Sequence, residues 1–311
     1  MLWDIICIIL GAGLVVKGAD WLTDGASAVA QRFGIPEIII GLTIVAMGTS
    51  MPEFCVSFVA ALKGTPDMAI GNIIGSNVFN ALMIVGVGAV FTPITLTRDT
   101  VMRDMLTAIV AAFLLAGMIY FDGKLSRIDS IVLFAGFLGF MLYTIRRAKQ
   151  GKDATTTTTP RMTIPRALLW IALGLAGLVF GSDIFVDGAS SVAERLGVPS
   201  AVVGLTIAAV GTSLPELATS TVAAVKGQSA MAIGNVIGSN VFNVLFILGI
   251  CGSITPMTIA GIGPVDYAML IGSILLLWLF AFTRLTVQRW EGGVLIALYV
   301  GYVTYLVFQV I

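Results

Sequence analysis

Long apolar segments separated by short polar breaks make up most of the chain. A helix that crosses a bilayer needs about 20 mostly apolar residues. Segments of that kind fall near residues 3–19, 37–62, 68–91, 103–121 and 128–146. Five more fall near 166–184, 200–225, 231–254, 265–283 and 292–310. The pattern predicts an all-α membrane protein with ten transmembrane helices. Residues 146–166, with five consecutive threonines and Pro160, divide the two sets of five and read as a flexible loop. The first segment, 2–16, lacks a basic leading region and a clean cleavage site, so it reads as a retained membrane helix.

The two sets are copies of one another. Residues 18–80 align without a gap to residues 181–243, and 39 of the 63 positions are identical. The runs GLTI, GTSxPE and IGSNVFN each occur twice. The chain therefore divides into a first five-helix repeat over 1–147, a linker over 148–165, and a second five-helix repeat over 166–311. An odd number of spans per repeat sends the second copy into the membrane from the opposite side, so the repeats are inverted, as in many secondary transporters. Basic residues give an independent test, because they concentrate on the cytoplasmic side. With the linker cytoplasmic, 13 of the 17 lysines and arginines fall on that side. Only Lys63, Lys124, Arg127 and Arg195 fall outside. The repeat-related Lys63 and Lys226 land on opposite faces, as inversion requires.

Composition narrows the chemistry. The chain is 58% hydrophobic and 11% charged, against about 25% charged in soluble domains. Its 17 basic and 17 acidic residues cancel, so no net field attracts nucleic acid. There is no histidine, which removes Ser-His-Asp and Cys-His catalysis and HExxH zinc hydrolysis. Cys7, Cys55 and Cys251 lie far apart inside apolar segments and read as small buried hydrophobes.

What remains is polar chemistry at mid-membrane. Spans two and seven each carry a carboxylate near the centre, Glu53 in GTSMPE and Glu216 in GTSLPE. An ionised side chain there costs about 2.5–3.5 kcal/mol on insertion scales. Arg32, Lys63, Arg195 and Lys226 sit near span ends, where they can snorkel, so a bound cation is the simplest partner. Pro52 and Pro215 each remove a helical hydrogen bond and disturb the carbonyl four residues earlier, at Gly48 or Gly211. Bare carbonyls at that depth must line a cavity or an ion. In helical geometry Thr49, Ser50 and Glu53 project to one side. Spans three and eight supply an opposing wall: Asn72, Ser76 and Asn80 form one polar stripe, and Asn235, Ser239 and Asn243 repeat it. Hydroxyl, amide, carboxylate and carbonyl oxygens suit hard cations such as Ca²⁺ and Na⁺. Gly71, Gly75, Gly234 and Gly238 are expected to let backbones approach closely. Asn77 and Asn240, beside the stripes, read as structural. Asp20, Asp24, Asp183 and Asp187 lie near the expected span ends and read as caps or interfacial residues.

At these residues the sequence resembles the cation/calcium exchanger superfamily, most closely its prokaryotic sodium/calcium exchangers. GTSMPE with GNIIGSNVFN, and GTSLPE with GNVIGSNVFN, match the two alpha-repeats of that family, and the ten-span layout covers essentially the whole chain. The resemblance implies ion coordination by Glu53, Thr49, Ser50, Ser76 and Asn80 from the first repeat. From the second it implies Glu216, Thr212, Ser213, Ser239 and Asn243, with the carbonyls of Ala46 and Ala209 as sodium ligands. Some archaeal members have aspartate where this chain has Asn243, so the site here is symmetric, with two carboxylates and two amides. The implied activity is antiport of Na⁺ against Ca²⁺ by alternating access. Spans one and six, with Gly11, Gly13, Gly174 and Gly177, would slide over the other eight as the gate. The expected partners are the bilayer and the transported ions, with no cofactor and no nucleic acid, and one chain is expected to work as a monomer. Alternatives are a Ca²⁺/H⁺ exchanger, since both glutamates could protonate, and a K⁺-dependent exchanger. A passive channel fits less well, because filters are usually built by rings of subunits. An enzyme is not expected.

Overall fold

The computed structural model describes residues 1–150, 162–198, 203, 207, 209–259 and 261–310. In the first repeat the helices are α1 (Leu2–Phe33), α2 (Glu37–Thr49), α3 (Met51–Leu62), α4 (Pro66–Phe91), α5 (Thr100–Tyr120) and α6 (Arg127–Gln150). In the second they are α7 (Ile164–Arg195), α8 (Ala209–Thr212), α9 (Leu214–Val225), α10 (Ser229–Ile254), α11 (Pro264–Arg284) and α12 (Arg289–Val310). Among the described residues eight helices are long and apolar enough to cross a membrane, and α2 with α3 makes a ninth span bent by 48°. The remaining expected span, the seventh at 200–225, falls partly outside the described residues, which cover its later part as α8 and α9. The expected flexible loop is helical at both edges, since α6 reaches Gln150 and α7 begins at Ile164; residues 151–161 lie outside the description.

Helices α1 and α7 depart from expectation. Each runs 32 residues, about 48 Å at 1.5 Å per residue, instead of stopping near residues 19 and 184. No proline interrupts α1 before Gly34, which ends it in the left-handed conformation (φ 62°) just ahead of Pro36. Asp20, Asp24, Asp183 and Asp187 are therefore helix-interior residues rather than caps. The two helices pack antiparallel, backbone to backbone. A Cβ on Gly18 would fall 2.8 Å from the Gly174 carbonyl, and one on Gly174 2.7 Å from the Leu22 nitrogen. Gly11, Gly25, Gly181 and Gly188 repeat this close approach at seven-residue spacing, whereas Gly13, expected at the same surface, meets nothing within 4 Å.

The polar breaks gather in two sets. One holds the two-residue ladder β1 (Ile94–Thr95) with β4 (Thr286–Val287), the buried pair Arg147–Asp104 at 2.6 Å, and the bonds from Lys226 to Asp20 and Asp24. The other holds β2 (Lys124–Leu125) with β3 (Met257–Thr258), Arg195 beside Asp4 at 3.3 Å, and Arg127 donating to the Ile254 carbonyl. Every one of these pairs joins breaks that the positive-residue count assigns to the same face, and both ladders pair one repeat with the other. The core between them is apolar. Phe134, Phe137, Phe242 and Phe246 stack where α6 meets α10, with Phe242 and Phe246 centroids 4.5 Å apart.

Candidate ion-binding site

The prolines do not kink continuous helices; they start new ones. Pro52 and Pro215 occupy the first turn of α3 and α9, where a missing N–H costs nothing. Ser50 (φ −83°, ψ 9°) and Ser213 (φ −93°, ψ 5°) form the breaks, in the sparsely populated bridge region. Glu53 and Glu216 then fall at the third position of the new helices, near their positive dipole ends. Ser-x-x-Glu at such a start is the pattern of a capping box, but neither serine caps its own helix with its side chain.

The hydroxyls reach across the molecule instead. Ser50 donates to Glu216 Oε1 at 2.8 Å, and Ser213 donates to Glu53 Oε1 at 2.9 Å. Each break thus serves the carboxylate of the other. Both glutamates are 1% exposed. Their second oxygens, Glu53 Oε2 and Glu216 Oε2, are buried with no hydrogen-bond partner among the described residues. The same holds for Asn80 Oδ1, Asn243 Oδ1 and Ser239 Oγ. Neither glutamate has an ion pair among the described residues, and no cluster of three or more carboxylate, thiol or imidazole groups occurs there. Buried acceptors in this condition are expensive unless a positive partner completes them.

The other expected residues are brought to the same region with differing engagements. Ser76 Oγ lies 3.2 Å from Ser213 Oγ. Thr49 donates to Asn235 Oδ1 of the other repeat at 3.1 Å, and Thr212 ends α8 partly buried. The Ala46 carbonyl accepts from the Ser50 N–H at 3.0 Å and from the Thr49 hydroxyl at 3.4 Å. Ala209 opens α8, while its neighbours 204–206 and 208 lie outside the described residues.

The polar stripes divide their work. Asn72 donates to Ser57 Oγ and to the Glu53 carbonyl, and Asn235 does the same with Ser220 and Glu216. Ser57 and Ser220, which sequence reasoning passed over, were marked only by being identical in the two repeats. At Asn80 and again at Phe242 the helix widens into a π turn, a local feature that often accompanies functional sites and left no sequence signal. Gly234 and Gly238 do bring backbones together: a Cβ on either would sit 2.7 Å from the Ile38 or Leu42 carbonyl. Gly71 and Gly75 meet no backbone within 4 Å, and the repeat copies of those partners, 201 and 205, lie outside the described residues.

Inverted repeats of membrane helices, with two broken spans presenting carboxylate, hydroxyl and amide oxygens at their meeting point, define a secondary transporter of cations. The chain belongs to the sodium/calcium exchanger family, whose sequence profile, described as sodium/calcium exchanger protein, matches residues 3–146 and 166–308. It is a multi-pass cation/calcium antiporter of that family and not an enzyme. The sodium/calcium exchanger MaX1 of Methanosarcina acetivorans is 30% identical over 97% of this chain and 98% of its own length. The inner membrane protein YrbG of Escherichia coli is 36% identical over 84% of this chain and 82% of its own. Among solved structures, the sodium-calcium exchanger NCX_Mj soaked with Na⁺ and Sr²⁺ superimposes with a TM-score of 0.84 at 31% identity, covering 97% of this chain and 98% of that one.

Proposed function

We propose that the chain exchanges Na⁺ for Ca²⁺ across the cytoplasmic membrane, binding both in turn at one site between Glu53 and Glu216. Four buried acceptor oxygens carry this reading: Glu53 Oε2, Glu216 Oε2, Asn80 Oδ1 and Asn243 Oδ1, all without a hydrogen-bond donor among the described residues. Two carboxylates neutralise one divalent ion, and neutral amide and hydroxyl oxygens complete a hard-cation shell without adding charge. Thr49, Thr212, Ser50, Ser213, Ser76, Ser239 and the Ala46 and Ala209 carbonyls make up the remaining ligand set. The carboxyl-terminal ends of α2 and α8 suit Na⁺, since a helix end carries partial negative charge on its carbonyls. That MaX1 and NCX_Mj are named sodium/calcium exchangers supports Na⁺ and Ca²⁺ as the pair.

The obligatory coupling follows from charge. With an ion bound, the site is neutralised and the protein can pass between its two access states. With the site empty, two carboxylates would have to cross uncompensated, at about 2.5–3.5 kcal/mol or more each. Helices α1 and α7, packed on one another along their glycines, act as the moving gate, and a single chain suffices.

Reconstitution separates this reading from its alternatives. Vesicles containing the protein should take up Ca²⁺ when a Na⁺ gradient is imposed, and should not when only a pH gradient is imposed. Uptake driven by the pH gradient alone points to Ca²⁺/H⁺ exchange and removes sodium from the proposal. A requirement for K⁺ on the sodium side makes the exchanger K⁺-dependent.

A further inference from the structure

Asn77 and Asn240 join the two repeats beside the ion site. Asn77 Nδ2 donates to the Asn240 carbonyl at 3.2 Å, and Asn240 Nδ2 donates to the Asn77 carbonyl at 3.3 Å. That leaves one oxygen on each side chain. Asn240 Oδ1 accepts from Asn80 Nδ2 at 3.0 Å, and Asn77 Oδ1 accepts from Asn243 Nδ2 at 3.1 Å. All four side chains are at most 5% exposed.

A side-chain amide is nearly symmetric in shape, and only its partners decide which end presents oxygen. Here the decision starts at a group that cannot turn over. A backbone carbonyl only accepts, so it takes the amide nitrogen of Asn240 and turns Asn240 Oδ1 toward Asn80. Asn80 must then spend its NH₂ on Asn240, which leaves Asn80 Oδ1 free and buried. The mirror chain runs from the Asn240 carbonyl through Asn77 to Asn243 Oδ1. Were Asn80 or Asn243 to flip, two acceptor oxygens would meet at about 3 Å and an NH₂ would take the place of a ligand oxygen, repelling a cation.

We infer that Asn77 and Asn240 are positioning residues: each holds the ion-facing amide of the opposite repeat so that its oxygen, not its nitrogen, is left for the cation. The inference rests on the ion site proposed above. It also accounts for Asn243, since a carboxylate there would have no hydrogen to give Asn77 Oδ1.

Calorimetric titration of the purified protein with Ca²⁺ tests it, with the Ca²⁺-free melting temperature as the control for folding. Asn77→Ala and Asn240→Ala should each weaken Ca²⁺ binding about ten- to hundredfold, the usual scale for residues that orient metal ligands. Because Asn240 acts through Asn80, adding Asn240→Ala to Asn80→Ala should cause no further loss; a role in packing alone would multiply in as the same factor in both backgrounds. Asn77→Asp and Asn240→Asp keep the size and the accepting oxygen, and in the protonated form the carboxyl O–H replaces the N–H given to the backbone carbonyl, so they should retain more Ca²⁺ binding than the alanine variants. Unchanged binding in the alanine variants, an equal factor in both backgrounds, or aspartate variants as weak as alanine would each overturn the inference. If the alanine variants do not fold, the aspartate pair decides alone. Wild-type protein that binds no Ca²⁺ would sink the ion site itself; wild-type binding that every variant retains would sink only the positioning role.

Discussion

Lys226→Ala should move the equilibrium between the two access states, and Lys63→Ala should move it the opposite way. Lys226, in the break between α9 and α10, holds α1 by four contacts: Asp20 Oδ1 at 2.6 Å, Asp24 Oδ1 at 2.7 Å, Thr23 Oγ1 at 3.0 Å and the Asp20 carbonyl at 3.2 Å. The repeat copies of these groups are Lys63, Asp183 and Asp187, and they make no ion pair with one another. Lys226 fastens one end of the α1–α7 pair to the break before α10, whereas at the other end, among the described residues, the ion pair Arg195–Asp4 joins the two helices only to each other. Exchanging the roles of the repeats, which is what alternating access does in an inverted pair, would release Lys226 and fasten Lys63. The three side chains at the closed end are 26%, 31% and 39% exposed, so each ion pair is worth about 0.2–1 kcal/mol. Two pairs and two hydrogen bonds together give about 1–2 kcal/mol, or about a five- to thirtyfold change in the ratio of states. Spin labels at Arg32 on α1 and Val225 on α9, in a background with all three cysteines replaced, would report the separation. Lys226→Ala should populate a second, longer distance, and Lys63→Ala should sharpen the first. Shifts of the same sign in both variants, or no shift in either, would refute the fastening role and leave ordinary surface ion pairs.

Other outcomes follow from the same contacts. Glu53→Gln and Glu216→Gln should each abolish Na⁺-driven Ca²⁺ uptake while the protein remains monodisperse in detergent; normal flux in either would remove that carboxylate from the site. Arg147→Ala leaves Asp104, 2% exposed on its side chain, as a buried charge without its partner and should destabilise the fold by about 3–5 kcal/mol. Thermal unfolding checks this, and adding Asp104→Asn should restore most of the loss. Gly234→Val drives a side chain into the Ile38 carbonyl, 2.7 Å from where its Cβ would stand, and overpacking of this kind costs about 1–3 kcal/mol or more. Gly13→Ala, with nothing within 4 Å, should leave the melting temperature unchanged or slightly raised.

The repeat, most span positions and the two glutamates were legible because each is stated twice in the sequence, in register. The lengths of α1 and α7 were not. Lys17, Asp20 and Asp24 interrupt the apolar run, but they do not interrupt the backbone hydrogen bonding, and Lys226 answers the two aspartates from 206 and 202 residues away. The role of Ser50 was hidden for a related reason. Ser-x-x-Glu carries a local meaning, a capping box, and nothing local says that the hydroxyl will prefer a carboxylate 166 residues on. Asn77 read as structural because asparagines in membrane helices usually bond across helices, and its bonds do cross to the other repeat; that one of them reaches Asn243 left no local signal.

Neither repeat completes a site alone. Ser50 serves Glu216, Ser213 serves Glu53, Thr49 reaches Asn235, and the four asparagines close across the same interface. The glutamate and asparagine bonds of the centre are therefore close to symmetric under exchange of the repeats, agreeing to within about 0.1 Å, whereas Ser76 meets Ser213 and Ser239 has no partner among the described residues. The larger asymmetry sits at the ends, where Lys226 is engaged and Lys63 has no ion pair among the described residues. A carrier must present the same ions to two sides without rebuilding their ligands each time. A symmetric centre with unequal ends meets that need: the ion keeps its shell of oxygens while the fastening passes from one face to the other. On the proposed site, two carboxylates without a compensating side chain among the described residues would make the ion itself the condition for the passage.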